Sequence, residues 1–259
     1  MNLNFFNDQM KYLGFVLFEN HLNKSLLSDL KKDLDKWINL ADKMRKKNGI
    51  EGMPGVAHNI LGKKDSMEEF IKNLPLHVYL KEYFLGAYIL NSFSGVKNQN
   101  TNVNNSYKHV ENYHRDVRTF SKEKNLMINM IVMLDEFKYE NGSTRLIPSS
   151  HHYEKMPCEE YINKNEQHIN GKAGSIILFN SNIWHSASKN YNGKPRRALT
   201  LSYTKPFMKQ QFDFFSVLGP DFSKNKDVMD IIGLRSRTPG THNDWYQKGD
   251  KRFYHKDQI

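Results

Sequence analysis

Two histidines and one aspartate carry the chemistry that this sequence most plainly allows. His114-Arg115-Asp116 spaces an imidazole and a carboxylate at i and i+2. On an extended segment such a pair points to one side, because side chains alternate with period two. His185 comes from the distant stretch SIILFNSNIWHSAS, where Asn180-Ser181-Asn182 turns the chain ahead of Trp184-His185. Brought together, the three form a 2-His-1-carboxylate face with three coordination positions open, the pattern of non-heme Fe(II) oxygenases. Arg196, eleven residues after His185, supplies a charge-assisted grip on an acidic cosubstrate. Arg197 would point to the opposite side of a strand, so only one of the two arginines can face the metal pocket.

His-x-Asp alone is a weak motif in a chain with 11 histidines. Two competing pairs exist, His109/Glu111 and His242/Asp244. The second follows Pro239-Gly240 in a polar tail and reads as a turn. The first lies at the edge of the asparagine-rich segment 94–108, which reads as a loop. His114/Asp116 is favoured by its context: NYHRDVRTF leads straight into the strand-like NLMINMIVMLDEF.

The elements that must position these groups follow from periodicity. Tyr12–Phe18 reads as a strand. Asn23 or Ser25 caps a helix in which Leu26, Leu30, Leu34, Trp37 and Ile38 recur at helical spacing. Residues 46–62 read as loop, Ser66 opens a second helix, and 77–93 mixes helix and strand signals. Strand candidates follow at 112–120, 126–134, 143–147, 174–179, 183–186 and 198–203, with Asn-Gly turns between them. Many short strands preceded by helices predict a mainly β fold with flanking helices, built on a jelly-roll core. The 259 residues suit a single domain, with the core at about 86–206, an N-terminal helical support over 1–85 and a tail over 207–259 covering the barrel.

Composition narrows the class. The net charge is +10 and the mean hydropathy is −0.72. The basic residues are scattered, with no nucleic-acid-binding signature beside them, so they read as a solvated surface that can also attract an anionic substrate. No apolar run is long enough to span a membrane. The start MNLNFFNDQMKYLGF lacks the pattern of a signal peptide. The single Cys158 permits no intramolecular disulfide, and a cytoplasmic setting is expected.

YHRD, MLDEFKYENGSTRLIPSSHH and WHSASKNYNGKPRRAL together resemble the phytanoyl-CoA dioxygenase-like family of Fe(II)/2-oxoglutarate oxygenases, and the likeness runs from FFNDQMKYLGF to about Tyr203. It implies a double-stranded β-helix, cupin-like core. It implies Fe(II), 2-oxoglutarate and O2 as cofactors, with His114, Asp116 and His185 as iron ligands and Arg196 binding the distal carboxylate of 2-oxoglutarate. Oxidation of a small-molecule C–H bond, with release of succinate and CO2, is the implied activity. Ala198 stands where the family often has a hydroxyl assisting that arginine, so Thr144 or Thr200 is expected to substitute. Asn129, the polar member of its strand, is a candidate cosubstrate contact or else a satisfied buried amide. Arg115, His58 and Trp184 are candidate substrate contacts, with Arg118, Tyr113 and Tyr107 nearby. Retention of Asp116 favours hydroxylation, desaturation or ring closure over halogenation. Two rival readings remain: a catalytically silent jelly-roll ligand-binding protein, and a cupin-type hydrolase or isomerase using zinc or manganese, which has no need of Arg196.

Overall fold

The computed structural model describes residues 1–98, 112–117, 119–122 and 124–248. Phe6 and Met10, one helical turn apart and both buried, set helix α1 (Leu3–Tyr12), whose first turn is capped by Asn2. The sequence reading had begun a strand at Tyr12. Strand β1 starts instead at Phe15, because Gly14, at φ +86°, breaks the helix in a conformation natural to glycine. Helix α2 (Lys24–Lys47) follows, with the Asn23 side chain accepting from the Leu26 amide at 2.9 Å. Ser66 opens α3 (Ser66–Lys72), with Asp65 as its cap. The mixed stretch after it resolves into α4 (His77–Phe84) and a strand.

A six-stranded antiparallel sheet has the order β1-β7-β4-β9-β3-β2. Its strands are β1 (Phe15–Phe18), β2 (Val56–His58), β3 (Ile89–Asn98), β4 (Met127–Met133), β7 (Ile176–Asn180) and β9 (Arg196–Thr204). A smaller sheet, in the order β6-β5-β8, consists of β5 (Thr144–Leu146), β6 (Gln167–Ile169) and β8 (His185–Ser186). Alternation sorts the large sheet into two faces. Ile128, Met130 and Val132 of β4 and Leu199, Leu201 and Tyr203 of β9 pack with Leu30 and Leu34 of α2, Phe70 of α3 and Phe84 of α4. Ile131 and Met133, Ile177 and Phe179, and Ala198 face the other way, onto Leu146 and Ile169 of the small sheet. The result is a jelly-roll of antiparallel strands with the helices layered on one outer face. Short helices α5 (Glu159–Asn165), α6 (Phe214–Leu218), α7 (Lys226–Ile231) and α8 (His242–Trp245) complete the described elements. Phe214, Phe215 and Met229 from the tail join the helix-side core.

Two expectations are corrected. Residues 112–120 do not form a strand: among the described ones, only His114 makes a single β-bridge, to His185. The stretch 46–62 is not all loop, since β2 pairs with β3 there. Both edge strands of the large sheet therefore come from residues before 60.

The turn at Ser149–His152 clasps the N-terminal segment. Ser149 Oγ donates to the Tyr12 carbonyl at 2.7 Å, its amide donates to Leu13 O at 2.9 Å, and His151 Nε2 lies 3.2 Å from Lys11 O. A Cβ on Gly14 would stand 2.5 Å from His151 Nδ1. Gly14→Ala combines that clash with a left-handed φ, so we expect about 1–3 kcal/mol of destabilisation in denaturant unfolding. Burial and the adjacent His152 hold the His151 imidazole down at about 4. The unfolded chain, with an ordinary histidine pKa, binds the proton more readily, so stability should fall as pH drops from about 6.5 towards 4. His151→Gln should flatten that part of the unfolding-midpoint profile; an unchanged profile would assign the acid sensitivity to other groups.

Candidate metal centre

The site lies between the two sheets, and local hydrogen bonding explains how each donor gets there. Asn180 Oδ1 accepts the Asn182 amide at 2.8 Å. Asn182 in turn exchanges bonds with Ser121 through Oδ1 and Nδ2. This fixes the turn that launches His185 onto β8, where it pairs with Leu146. The His114 and His185 backbones exchange two N–H···O bonds of 3.0 Å, which brings the segment carrying His114 and Asp116 alongside without a full strand. Their ring centroids stand 4.4 Å apart.

Both imidazoles are oriented by carbonyls. His114 Nδ1 lies 2.9 Å from Asn112 O, and His185 Nδ1 lies 3.0 Å from Ile183 O. With Nδ1–H donating, each Nε2 keeps its lone pair for a metal. Asp116 faces both, its carboxylate oxygens 3.7 Å from His114 Nε2 and 3.6 Å from His185 Nε2. One donor atom from each residue falls within 4.8 Å of the others, and this is the one such group of three among the described residues. Burial holds the His185 imidazole below its ordinary pKa, with the Asp116 charge opposing and His114 reinforcing. It therefore presents the neutral form that metals require. Two imidazoles and one carboxylate, with no thiolate, suit Fe(II).

Asn129 on β4 donates to Asp116 Oδ2 at 2.6 Å, so its amide orients the carboxylate that completes the donor set. The sequence placed Asn129 on the cavity side of β4 but gave no sign of this contact.

Arg196 and Arg197 diverge as strand alternation requires. Arg197 forms ion pairs with Asp35 at 3.2 Å and Asp135 at 3.1 Å, joined by Lys97 on Asp35 and Lys31 on Asp135. Arg196 points inward, is 6% exposed and stacks over Phe137 at 4.1 Å. Its buried Nε has no hydrogen-bond partner. Burial pushes this guanidinium down to about 10, with Asp135 opposing. Among the described residues no carboxylate is hydrogen-bonded to it, and an arginine desolvated this far can take an anion from outside the chain. Asn190 sets the spacing from His185 to Arg196. Its Nδ2 donates to Asn98 O and Lys194 O while Oδ1 accepts the Asn192 amide.

One cavity of about 430 Å³ is lined by His114, Asp116, His185, Arg196, Asn129, Thr144, Thr200 and His58. Arg115 and Trp184 are placed elsewhere: the Arg115 guanidinium stacks on Trp184 at 4.7 Å and neither is among the described lining residues. Tyr113 bonds to Glu166, away from the donors. His109, Glu111, Tyr107 and Arg118 lie outside the described residues, and His242 and Asp244 sit on the short exposed helix α8. Ser92, Ser94 and Ser202, which also line the cavity, went unnoticed in the sequence; inward alternation on β3 and β9 was the signal that marked them.

A profile of the family described as phytanoyl-CoA dioxygenase (PhyH) matches residues 14–198. The chain belongs to the phytanoyl-CoA dioxygenase family. That family's Fe(II), 2-oxoglutarate and O2 fit the His114/Asp116/His185 group and the buried Arg196 found here. Among relatives, an uncharacterised protein of Mycobacterium tuberculosis is 32% identical over 133 residues, covering 51% of this chain and 49% of that protein. The match thus spans about half the relative's length. The dioxygenase olcK of Penicillium canescens is 23% identical over 209 residues, 73% of this chain and 66% of that one. Among solved structures, EctD from S. alaskensis with bound Fe superposes with a TM-score of 0.63 at 19% identity, covering 79% of this chain and 76% of EctD. The epimerase SnoN, in complex with Fe3+, alpha ketoglutarate and nogalamycin RO, gives 0.58 at 15% identity, covering 79% and 84%. At these identities the two structures establish the shared jelly-roll fold of this PhyH chain.

Proposed function

We propose that this chain is an Fe(II)- and 2-oxoglutarate-dependent dioxygenase that oxidises an unactivated C–H bond of a small molecule, hydroxylation being the expected outcome, with release of succinate and CO2. The observation that carries this reading is the opening of the His114/Asp116/His185 group and the unpaired, buried Arg196 into the same cavity. His114 and His185 would hold the metal through Nε2 and Asp116 through its carboxylate, which Asn129 keeps aimed. When bound, the ferrous ion with 2-oxoglutarate and O2 supplies the oxidising chemistry. Arg196 would take the distal carboxylate of 2-oxoglutarate by charge-assisted hydrogen bonds, with Thr144, which lines the same cavity, supplying the hydroxyl missing at position 198. Ile131, Phe179 and Ala198 wall this end with apolar groups and exclude water from the bound diacid. Asp116 occupies the position a halide would need, which favours oxygenation over halogenation.

A zinc or manganese hydrolase of the same fold has no use for Arg196, and a silent binding protein has no use for the three donors. We read all 259 residues as one oxygenase domain acting on a small metabolite; among the described residues no helix is long and apolar enough to cross a membrane. The test is anaerobic titration with Fe(II) and 2-oxoglutarate. A weak visible charge-transfer band requiring both components is expected, followed in air by stoichiometric succinate. No band and no succinate would reject the reading.

A further inference from the structure

The oxygenase reading, on which this inference rests, leaves part of the cavity for substrate. The ionisable residues among the described lining are His58, His114, Asp116, His185 and Arg196. Three of these are metal donors and Arg196 is assigned to the cosubstrate. His58 is held below its ordinary pKa by burial, with the Arg45 charge adding to the effect, which favours its neutral form. No ionised side chain among the described lining residues is left to meet a charge on the substrate, and a desolvated charge without a partner is strongly disfavoured. Arg115, a candidate substrate contact in the sequence, is turned away onto Trp184.

The wall offers uncharged hydrogen-bonding groups in register instead. Across β2, β3 and β9, His58 is opposite Ser94 and Ser94 is opposite Thr200. In the next row Ser92 is opposite Ser202, and Ser202 is opposite Asn129. The Ser92 and Ser202 hydroxyls lie 2.6 Å apart. Such a pair uses one O–H internally and keeps the other O–H and several lone pairs for a ligand. His58 Nδ1 lies 3.1 Å from Ser94 Oγ. In either tautomer this couple retains one donor and one acceptor: Nε2–H with the serine lone pairs, or the serine O–H with the Nε2 lone pair. Small hydroxyl side chains in adjacent rows on the inner face of a barrel sheet are an unusual use of positions that elsewhere on that face carry Ile131, Met133 and Ile177. Met53, Val56 and Met127 provide the apolar surface for a carbon skeleton. The cavity, at about 430 Å³ and shared with the cosubstrate, lies towards the small end of ligand sites.

We propose that the substrate is a compact, uncharged compound bearing several hydroxyl groups, seated against the wall formed by His58, Ser92, Ser94, Thr200 and Ser202. Its hydroxyls exchange donor and acceptor roles with those side chains, and the bond to be oxidised is turned towards the His114/Asp116/His185 face.

The test uses four sets of metabolites matched in size: neutral polyols and glycosides, carboxylates and phosphates, amines, and apolar alcohols. Each is added to the whole protein loaded anaerobically with Fe(II) and 2-oxoglutarate. Perturbation of the visible band and the shift in unfolding midpoint are both recorded, and the midpoint shift is repeated on metal-free protein. The expected result is a response to members of the neutral hydroxylated set above all others. In the Ser92→Ala/Ser202→Ala variant that response should require about tenfold more compound, as loss of one or two ligand hydrogen bonds implies. A stronger response to a charged or apolar set, no response to the neutral hydroxylated set, or undiminished response in the double variant would each overturn the proposal. If the band never forms while metal-free protein still prefers the neutral set, the oxygenase reading fails and the substrate class stands.

Discussion

Replacing His185 or Asp116 by alanine is expected to abolish iron-dependent turnover of 2-oxoglutarate while the fold survives. Changes to groups that only orient a metal ligand typically cost roughly 10–100-fold in metal affinity or activity, so removal of a ligand should exceed that. Asn129→Ala supplies the graded case. It removes the 2.6 Å donor to Asp116 but none of the three donor atoms, so a loss within that roughly 10–100-fold span is expected. Circular dichroism and unfolding midpoint should stay near the parent for Asp116→Ala, whose carboxylate is partly solvated. Ferrous binding measured by equilibrium dialysis separates the two levels. Full activity in either ligand variant would reject the metal assignment outright.

Arg196→Met should act in opposite directions on binding and on stability. Truncating one side of a buried, hydrogen-bonded charge pair costs about 2–5 kcal/mol. The concentration of 2-oxoglutarate needed for half-maximal rate should therefore rise by about 30-fold or more. In the absence of ligand the same guanidinium is desolvated, with Nε unpartnered, so its replacement by an apolar chain of similar length relieves a cost. We expect the ligand-free protein to be stabilised, by about 1 kcal/mol, since each unsatisfied buried polar group costs that much or more. Arg197→Met, one residue away, should show the reverse pair of effects. It breaks contacts to Asp35 and Asp135 and lowers the unfolding midpoint, yet leaves the 2-oxoglutarate requirement unchanged. Equal effects of the two substitutions on cosubstrate binding would contradict the inward and outward assignment of this strand.

Spacing singled out His114, Asp116 and His185, which the structure brings together, and strand alternation separated Arg196 from Arg197. Both depend on local geometry that a linear chain records. The route by which His114 reaches the site was not recorded there. The i, i+2 argument assumed a strand, and a single bridge to His185 does the same work, because two residues of extended backbone suffice to aim two side chains together. The helix α1 was hidden by an aromatic run that suits strand and helix alike, and β2 by glycines that in fact flank it. The Asn129–Asp116 contact depends on how the irregular segment after His114 folds back over β4, and the matching of the serines into rows depends on cross-strand register between distant segments, as with Ser202 opposite Asn129; alternation marks the inward positions but not their partners. The orientation of Arg115 is a similar case: its stacking partners Phe120 and Trp184 become neighbours only after the turn at Asn180 has formed.

The antiparallel pairing of β1 with β7, which sets Phe18 opposite Ile176, has a consequence for biosynthesis. The partner strand of Phe15–Phe18 is made roughly 160 residues after it, about 8–30 s at ordinary elongation rates. Through that interval an apolar, aromatic segment waits with its backbone unmatched, the condition in which nascent chains aggregate or recruit chaperones. Yield of soluble protein should thus depend on growth temperature and on chaperone supply more steeply than the stability of the finished barrel would suggest.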